Sequence, residues 1–175
     1  MSKAILLNTG WTFTKEGHDE PITLPHTWNA VDGQDGGNDY YRGTCSYTRT
    51  LEKPELSDGD RVVLQFDGVA MTAVVSLNGE KVAEHKGGYS TFRVDITDAL
   101  HDGANELMVS VDNSDNDTVY PQKADFTFYG GIYRDVSLLV VSKKSHCAGL
   151  SGQLRRADHP DRQRRKCRHN RQDPR

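Results

Sequence analysis

The sequence predicts an all-β protein, an antiparallel β-sandwich followed by a basic tail. Apolar residues recur with period two, no segment sustains the i, i+3, i+4, i+7 spacing of an amphipathic helix, and clusters of Gly, Asn and Asp separate the runs. A chain of 175 residues has room for one well-buried core. Two sheets that bury their alternating faces against each other satisfy these observations.

The alternating runs are the expected strands, because residues two apart on a strand share one face. The turn Asn78-Gly79 predicts a hairpin to Lys81–His85, since both central residues of a type I′ turn need φ > 0. Thr97–Leu100 is at most one helical turn, and Arg49 interrupts the apolar pattern of its run. The runs are Trp11–Phe13, Cys45–Leu51, Val62–Phe66, Ala73–Leu77, Phe92–Ile96, Leu107–Val111 and Val136–Val140.

The distribution of charge divides the chain near Ser142. Residues 1–142 hold 11 Lys and Arg against 22 Asp and Glu, whereas residues 143–175 hold 11 against 3, so the net charges are −11 and +8. We expect residues 1–142 to form the sandwich. Residues 143–175 are almost free of aliphatic side chains after Leu154, so they cannot bury enough surface to offset the entropy of ordering, and disorder is expected there.

The composition also excludes several classes of protein. No run of eighteen apolar residues is present, which predicts neither a membrane span nor a secretion signal. Three widely spaced cysteines without a C-x-x-C pair indicate neither a disulfide framework nor a zinc site, and a reducing cytoplasm is the expected compartment. Asn113, Asp115 and Asp117 alternate like the opening of a calcium loop but lack its glycine and distal glutamate, so a solvated loop and no metal are expected.

Three segments do not fit a strand pattern and are the candidates for function. They are 25–43, 112–117 and 125–135, and each combines glycines or Asn with aromatic residues or carboxylates. Such loops can stack a sugar ring and form hydrogen bonds with its hydroxyls. These segments therefore predict a saccharide-binding surface.

The segment DFTFYGGIYRDV, Asp125–Val136, resembles the signature that closes the N-terminal domain of family 2 glycoside hydrolases, the β-galactosidases and β-glucuronidases. The resemblance extends from about Trp11 to Val141 and is greatest to the bacterial β-galactosidase branch. Other stretches agree in the same order, namely Leu24–Asn29, Tyr40–Gly43, Phe66–Val69, Leu77–Gly79 and His85–Tyr89.

The resemblance implies a jelly-roll sandwich of the galactose-binding-domain type. In the family this domain is followed by an immunoglobulin-like domain and a (β/α)₈ barrel, whose two glutamates perform retaining hydrolysis. Such a barrel takes about 250 residues, so we expect no catalytic residue and no hydrolysis from these 175 residues alone. No cofactor is implied.

The resemblance also implies the residues that contact substrate. The aspartate six residues before the second glycine of the signature contacts hydroxyls of the terminal sugar, which assigns that role to Asp125. Asn29 and Asp32 are second candidates, because an early loop approaches the same subsite. The alternatives are that Asp125 caps a loop and that Asn29 and Asp32 serve turns. The expected ligand is a β-galactoside or related saccharide.

Three functions are compatible with these observations. The first is the sugar-binding domain of a β-galactosidase-like family 2 hydrolase without its catalytic barrel. The second is a stand-alone carbohydrate-binding module. The third is a polyanion-binding protein acting through the basic residues of 143–175. Nucleic acid is not the favoured partner, because that composition resembles translation out of frame after about Lys144 and suggests a frameshifted or truncated gene.

Overall fold

The computed structural model describes residues 3–30, 40–119, 127–142 and 154–155. In these ranges the regular structure consists of strands and one 3₁₀ turn, Thr97–Ala99. The strands are β1 (Lys3–Leu6), β2 (Trp11–Lys15), β3 (His18–Ile22), β4 (Thr44–Glu52), β5 (Arg61–Phe66), β6 (Thr72–Leu77), β7 (Glu80–Lys86), β8 (Phe92–Asp95), β9 (Ala104–Asp112), β10 (Val136–Val141) and β11 (Leu154–Arg155). No helix in the described ranges has the length and apolarity that a membrane crossing requires.

The strands form two sheets, as the alternating pattern predicts. One sheet has the order β1-β10-β5-β8-β11 and the other β3-β2-β4-β9-β6-β7. Neighbouring strands are antiparallel, except that β11 lies parallel to β8. The antiparallel two-sheet sandwich is therefore confirmed.

The core lies between the sheets and contains the alternating residues that the sequence indicates. Tyr47, Leu64 and Val109 are each 0% exposed. Trp11 is also buried, and its indole N–H donates to the carbonyl of Leu7 at 2.5 Å. Removing these faces from water contributes about 25 cal/mol for each Å² of apolar surface, which makes the inner faces the main source of stability.

Arg49 interrupts the apolar pattern of β4 because its side chain bonds to the backbone at the margin of the core. Its Nη1 donates to the Leu7 carbonyl at 2.7 Å, and its guanidinium lies 5.5 Å from the centre of the Trp11 ring. Burial lowers the pKa of Arg49. The carbonyl and the aromatic face therefore compensate for the lost hydration of this cation.

The predicted hairpin and the predicted short turn are both present. Asn78 and Gly79 have φ angles of 53° and 82° and connect β6 to β7. These positive values explain the Asn-Gly pair, since glycine and asparagine adopt this conformation at the lowest cost. Thr97–Ala99 forms the 3₁₀ turn after β8.

Three strands were not predicted from the alternation. β3 is an edge strand whose residues are exposed or half-buried, so no apolar period marks it, and Pro21 is tolerated at such an edge. β1 is mostly exposed, and among the described strands it pairs only with β10. β11 lies within 143–175, and the backbone of Leu154–Arg155 pairs with β8. The disorder expected for 143–175 stays a prediction. The rest of 143–175 lies outside the described residues.

Candidate functional site

One end of the sandwich carries the loops that the sequence singles out. Thr44 at the start of β4 pairs with Asp112 at the end of β9, and Asp112 pairs in turn with Thr72 at the start of β6. Loops that leave these strand ends therefore meet at the same end of the sandwich. We call the described loops 24–30, 40–43, 112–119 and 127–135 the loop cluster.

Asn29 lies at the centre of the loop cluster. Its side chain is 0% exposed, and its Nδ2 donates to the Tyr41 carbonyl at 2.9 Å. Its Oδ1 accepts from the Gly130 backbone N–H at 2.7 Å. Asn29 thus joins the 24–30 loop to both the 40–43 loop and the 127–135 loop.

Asn113 completes the connection from the fourth loop. It is 0% exposed, and its Nδ2 donates to Asn29 Oδ1 at 3.2 Å and to the Phe128 carbonyl at 2.8 Å. Its Oδ1 accepts from the Gly43 N–H at 2.9 Å. The solvated loop expected around Asn113 is therefore wrong for this residue, because its amide satisfies backbone groups that burial would otherwise leave unpaired.

Arg42 connects the 40–43 loop to the 112–119 loop and to Phe128 of the 127–135 loop. Its Nε donates to the Asn113 carbonyl at 3.0 Å, and its Nη1 lies 2.6 Å from Asp115 Oδ1. Its guanidinium also covers the Phe128 ring at 4.9 Å and lies 5.9 Å from the centre of the Tyr40 ring. Phe128 packs in a small second core with Ala70, Met71 and Val119.

Asp112 places a carboxylate at the strand end that leads into the 112–119 loop. Its Oδ1 accepts from the Ser114 N–H at 2.6 Å, and its Oδ2 accepts from the Thr44 hydroxyl at 2.7 Å. Burial raises the pKa of Asp112, but the bonds from Ser114 and Thr44, together with the charge of Arg42, outweigh it and lower the pKa. Asp112 is thus held as an anion that shapes the loop.

The glycines of the signature allow close contact between loops. A Cβ on Gly130 would lie 2.0 Å from an atom of the Trp28 ring, and Gly131 has φ 133° with its N–H bonded to the Ala70 carbonyl. The Thr27 hydroxyl donates to the Gly130 carbonyl at 2.8 Å. The Gly130-Gly131 pair therefore has a structural role, since a side chain at Gly130 would collide with Trp28 and Gly131 needs a positive φ.

Tyr129 stands between two anchored residues yet is itself open to solvent. Its side chain is 47% exposed, whereas Phe128 is 7% exposed. The neighbouring Gly130 bonds to Asn29 through its N–H. The loop therefore presents one aromatic ring outward from a fixed backbone, an arrangement suited to stacking on an apolar face of a sugar.

The structure places only one of the three predicted contact residues. Asn29 is buried and bonded to other loops of the protein, and its contact with a saccharide stays a prediction. Asp32 and Asp125 lie outside the described residues, and their roles also stay predictions. Asp125 precedes the anchored Phe128 by three positions in the chain.

The importance of Asn113 was missed by the sequence interpretation, although a signal was present. Leu107, Val109 and Val111 occupy the buried face of β9. Asn113 continues the same odd-numbered series beyond the strand end. A polar residue on a buried register has to find hydrogen-bond partners, and the amide of asparagine offers both donors and an acceptor.

Comparison with known proteins identifies the family. Residues 2–142 match the family model described as glycosyl hydrolases family 2, sugar binding domain. A β-glucuronidase from Bacteroides fragilis is 42% identical over 145 residues, which are 79% of this chain and 21% of that protein. A β-galactosidase from Thermoanaerobacter pseudethanolicus is 33% identical over 141 residues, which are 78% of this chain and 19% of that protein.

Solved structures agree with these relatives. The crystal structure of an FMN-binding β-glucuronidase from Facaelibacterium prausnitzii L2-6 is similar with a TM-score of 0.78 at 49% identity, and the match covers 81% of this chain and 23% of that one. A β-glucuronidase from Bacteroides uniformis has a TM-score of 0.73 at 36% identity, with 81% and 18% covered. The relatives thus include β-glucuronidases at higher identity than this β-galactosidase, so the expected emphasis on the β-galactosidase branch is not supported.

The chain spans about a fifth of the length of the relatives that it matches. The matched part coincides with the sandwich and its loop cluster. The fold, the order of the motifs and the family model lead to one conclusion: this chain belongs to the glycosyl hydrolases of family 2, as their N-terminal sugar-binding domain.

Proposed function

We propose that the loop cluster supplies one side of the saccharide subsite of a family 2 β-galactosidase- or β-glucuronidase-like enzyme. The observation that carries the proposal is the hydrogen-bonded junction of Asn29, Asn113 and Gly130, which fixes the backbone of the signature segment. A binding surface needs such preorganisation, since ordering loops on binding reduces affinity.

Two carboxylates are the proposed contacts to sugar hydroxyls. Asp125 accepts hydrogen bonds from the terminal sugar, and Asp32 contributes from the early loop. Bonds between hydroxyls and a charged acceptor are stronger than neutral ones, which suits recognition of a polyol in water. Asn29 belongs to the same subsite, where its buried amide supports the loops.

Tyr129 is the proposed stacking residue. Its ring is exposed and its neighbours are anchored, so it can cover a sugar face with little loss of conformational freedom. The names of the relatives support a β-galactoside or a β-glucuronide as the ligand.

Hydrolysis is proposed to require residues beyond this sandwich. Retaining hydrolysis needs two carboxyl groups about 5 Å apart on opposite sides of the scissile bond, and the family carries them on the barrel. We propose that the immunoglobulin-like and barrel domains are the partners that complete the subsite. The cytoplasmic location stays a prediction.

A titration tests the binding proposal. The 175-residue chain is titrated calorimetrically with methyl β-galactoside and with methyl β-glucuronide. We expect a dissociation constant on the order of 1 mM for at least one of them, because only one side of the subsite is present. Asp125→Asn should weaken this binding about tenfold, which is the scale of a charged hydrogen bond.

The matched control is Asp58→Asn. Asp58 lies in the exposed turn between the end of β4 and the start of β5. This turn is at the end of the sandwich opposite to the loop cluster. This variant should bind like the unmodified chain. An unmodified chain that binds neither glycoside contradicts the proposed function, and equal binding by the Asp125→Asn variant contradicts the role of Asp125.

A further inference from the structure

Asn113 makes hydrogen bonds to three loops with one buried amide. Nδ2 lies within bonding distance of Asn29 Oδ1 and of the carbonyls of Phe128 and Tyr41, at 3.2, 2.8 and 3.4 Å. Oδ1 accepts from the Gly43 N–H, and the Asn113 carbonyl accepts from Arg42 Nε. The polar groups of the Asn113 side chain thus form hydrogen bonds with the 24–30, 40–43 and 127–135 loops, which are far apart in the sequence.

The donor is the feature that no carboxylate can supply. The three groups around Nδ2 are oxygen acceptors, so a carboxylate at this position would face them with a negative charge and no proton. A buried charge without a partner is strongly unfavourable, because it loses its hydration and gains no compensating bond. The site therefore selects an amide for its N–H groups.

We infer that Asn113 is a positioning residue, which sets the 127–130 segment against the 24–30 and 40–43 loops and thereby places the sugar-contacting part of the chain. The inference rests on the proposed function of the loop cluster. Its physical basis is a series of hydrogen bonds. Asn113 Nδ2 donates to the Phe128 carbonyl and to Asn29 Oδ1, and Asn29 Oδ1 also accepts from the Gly130 N–H. Asn113 itself does not touch sugar in this arrangement.

A merely structural role is the alternative, and the chain contains a matched control for it. Asn105 is 1% exposed and lies at the opposite end of β9. Its Nδ2 donates to the carbonyls of His101 and Gly103 at 3.0 and 2.9 Å, and its Oδ1 accepts from the His101 N–H at 2.8 Å and from Asn78 Nδ2 at 2.9 Å. The two asparagines are buried to nearly the same extent and are similar in bonding, but of the two only Asn113 adjoins the loop cluster.

The experiment compares Asn113→Asp with Asn105→Asp in the full chain. Amide hydrogen exchange is measured at Gly130, and saccharide affinity is measured by titration at pH 7 and at pH 4. We expect both variants to lose stability. Only Asn113→Asp should speed exchange of the Gly130 amide, by about tenfold or more, and weaken saccharide binding by a similar factor.

The pH dependence gives a further signature of the donor. At pH 4 part of the introduced carboxyl is protonated and can donate one hydrogen bond toward the Phe128 carbonyl. Relative to the unmodified chain, the affinity of the Asn113→Asp variant should therefore recover partly at pH 4. The Asn105→Asp variant should show no such recovery, because its binding is not reduced.

A second variant covers the case in which Asn113→Asp does not fold. Asn113→Ser removes the amide without introducing a charge, and it should give the same faster exchange at Gly130. Equal Gly130 exchange in the unmodified, Asn113 and Asn105 chains would overturn the inference. If the unmodified chain binds no saccharide, the proposed function fails, and the Gly130 exchange alone then decides whether Asn113 positions the segment.

Discussion

His26 Nδ1 lies 2.8 Å from Tyr47 Oη and joins the 24–30 loop to the middle of β4. The Tyr47 hydroxyl also accepts a hydrogen bond from the backbone N–H of Ile132, which by itself lowers the pKa of Tyr47. Burial raises the pKa of Tyr47, which keeps the hydroxyl protonated at neutral pH. This hydroxyl therefore connects the core to the 24–30 loop through His26 and to the 127–135 loop through Ile132.

Tyr47→Phe should lower the free energy of unfolding by about 1–3 kcal/mol, because His26 and the Ile132 N–H lose their buried partner while the packing is unchanged. Urea unfolding at pH 7.5 measures the loss. Tyr89→Phe is the control, since Tyr89 is 64% exposed and its change should leave stability unaltered. Equal stability of the two variants would contradict the connection.

The stability of the protein should fall on mild acidification because of His26. Burial lowers the pKa of His26, and the nearby Glu20 raises it by less. The unfolded chain therefore binds a proton at a higher pH than the folded chain. The contribution of His26 to the free energy of unfolding is therefore fully present above the ordinary histidine pKa of about 6.5, and it decreases as the pH falls below that value.

His26→Gln tests this dependence. Unfolding free energies are measured at pH 7.5 and pH 5.5 for both chains, and the difference between the two pH values should be smaller in the variant. The comparison removes the contributions of the other histidines. An unchanged difference would assign the acid sensitivity to groups other than His26.

Asp112→Asn should destabilise the fold by about 1–2 kcal/mol at pH 7, because Ser114 and Thr44 then donate to a neutral amide instead of a carboxylate. The pKa of Asp112 is lowered in the folded chain, so its stabilisation is present above about pH 4 and is lost as the pH falls further. Denaturation at pH 7 and pH 3 should show a stability gap between the two chains that closes at the lower pH.

Gly130→Ala should lower the unfolding free energy by about 3 kcal/mol, since the added methyl group would overlap the Trp28 ring. Gly88→Ala is the matched control, because its Cβ would meet Ala70 Cβ at an ordinary 3.6 Å. Thermal unfolding of both variants measures the difference. Similar midpoints would show that the loop cluster relaxes around Gly130.

Tyr129→Ala should weaken saccharide binding about three- to tenfold, as expected for loss of one aromatic contact. The fold should be unaffected, because the ring is 47% exposed. Tyr89→Ala, which removes another exposed ring, should keep the affinity of the unmodified chain. Calorimetric titration distinguishes them, and a smaller effect at Tyr129 than at Tyr89 would remove Tyr129 from the proposed subsite.

The candidate site could be predicted from the sequence only in part. The three segments without strand periodicity were recognised, and residues 29, 113 and 130 show that they meet. The roles within them were not predictable, because Asn serves turns and solvated loops as readily as buried junctions. Its role at position 113 depends on which acceptors the fold brings within 3 Å or so.

The sequence alone determined the fold class and the buried residues of the central strands. The reason is local: alternation with period two is a property of consecutive residues, and Asn-Gly has its turn preference without help from the rest of the chain. Edge strands such as β3 carry no such signal, since neither face is buried.

Only the tertiary structure decided the pairing order of the strands and the function of the buried amides. Asn29 and Asn113 are 84 positions apart, and nothing in the residues around either one specifies the other as its partner. Their bond exists because packing of the two sheets brings four loops to one end and excludes water there. In that environment each polar group has to bond to protein, and the loops are held in one arrangement.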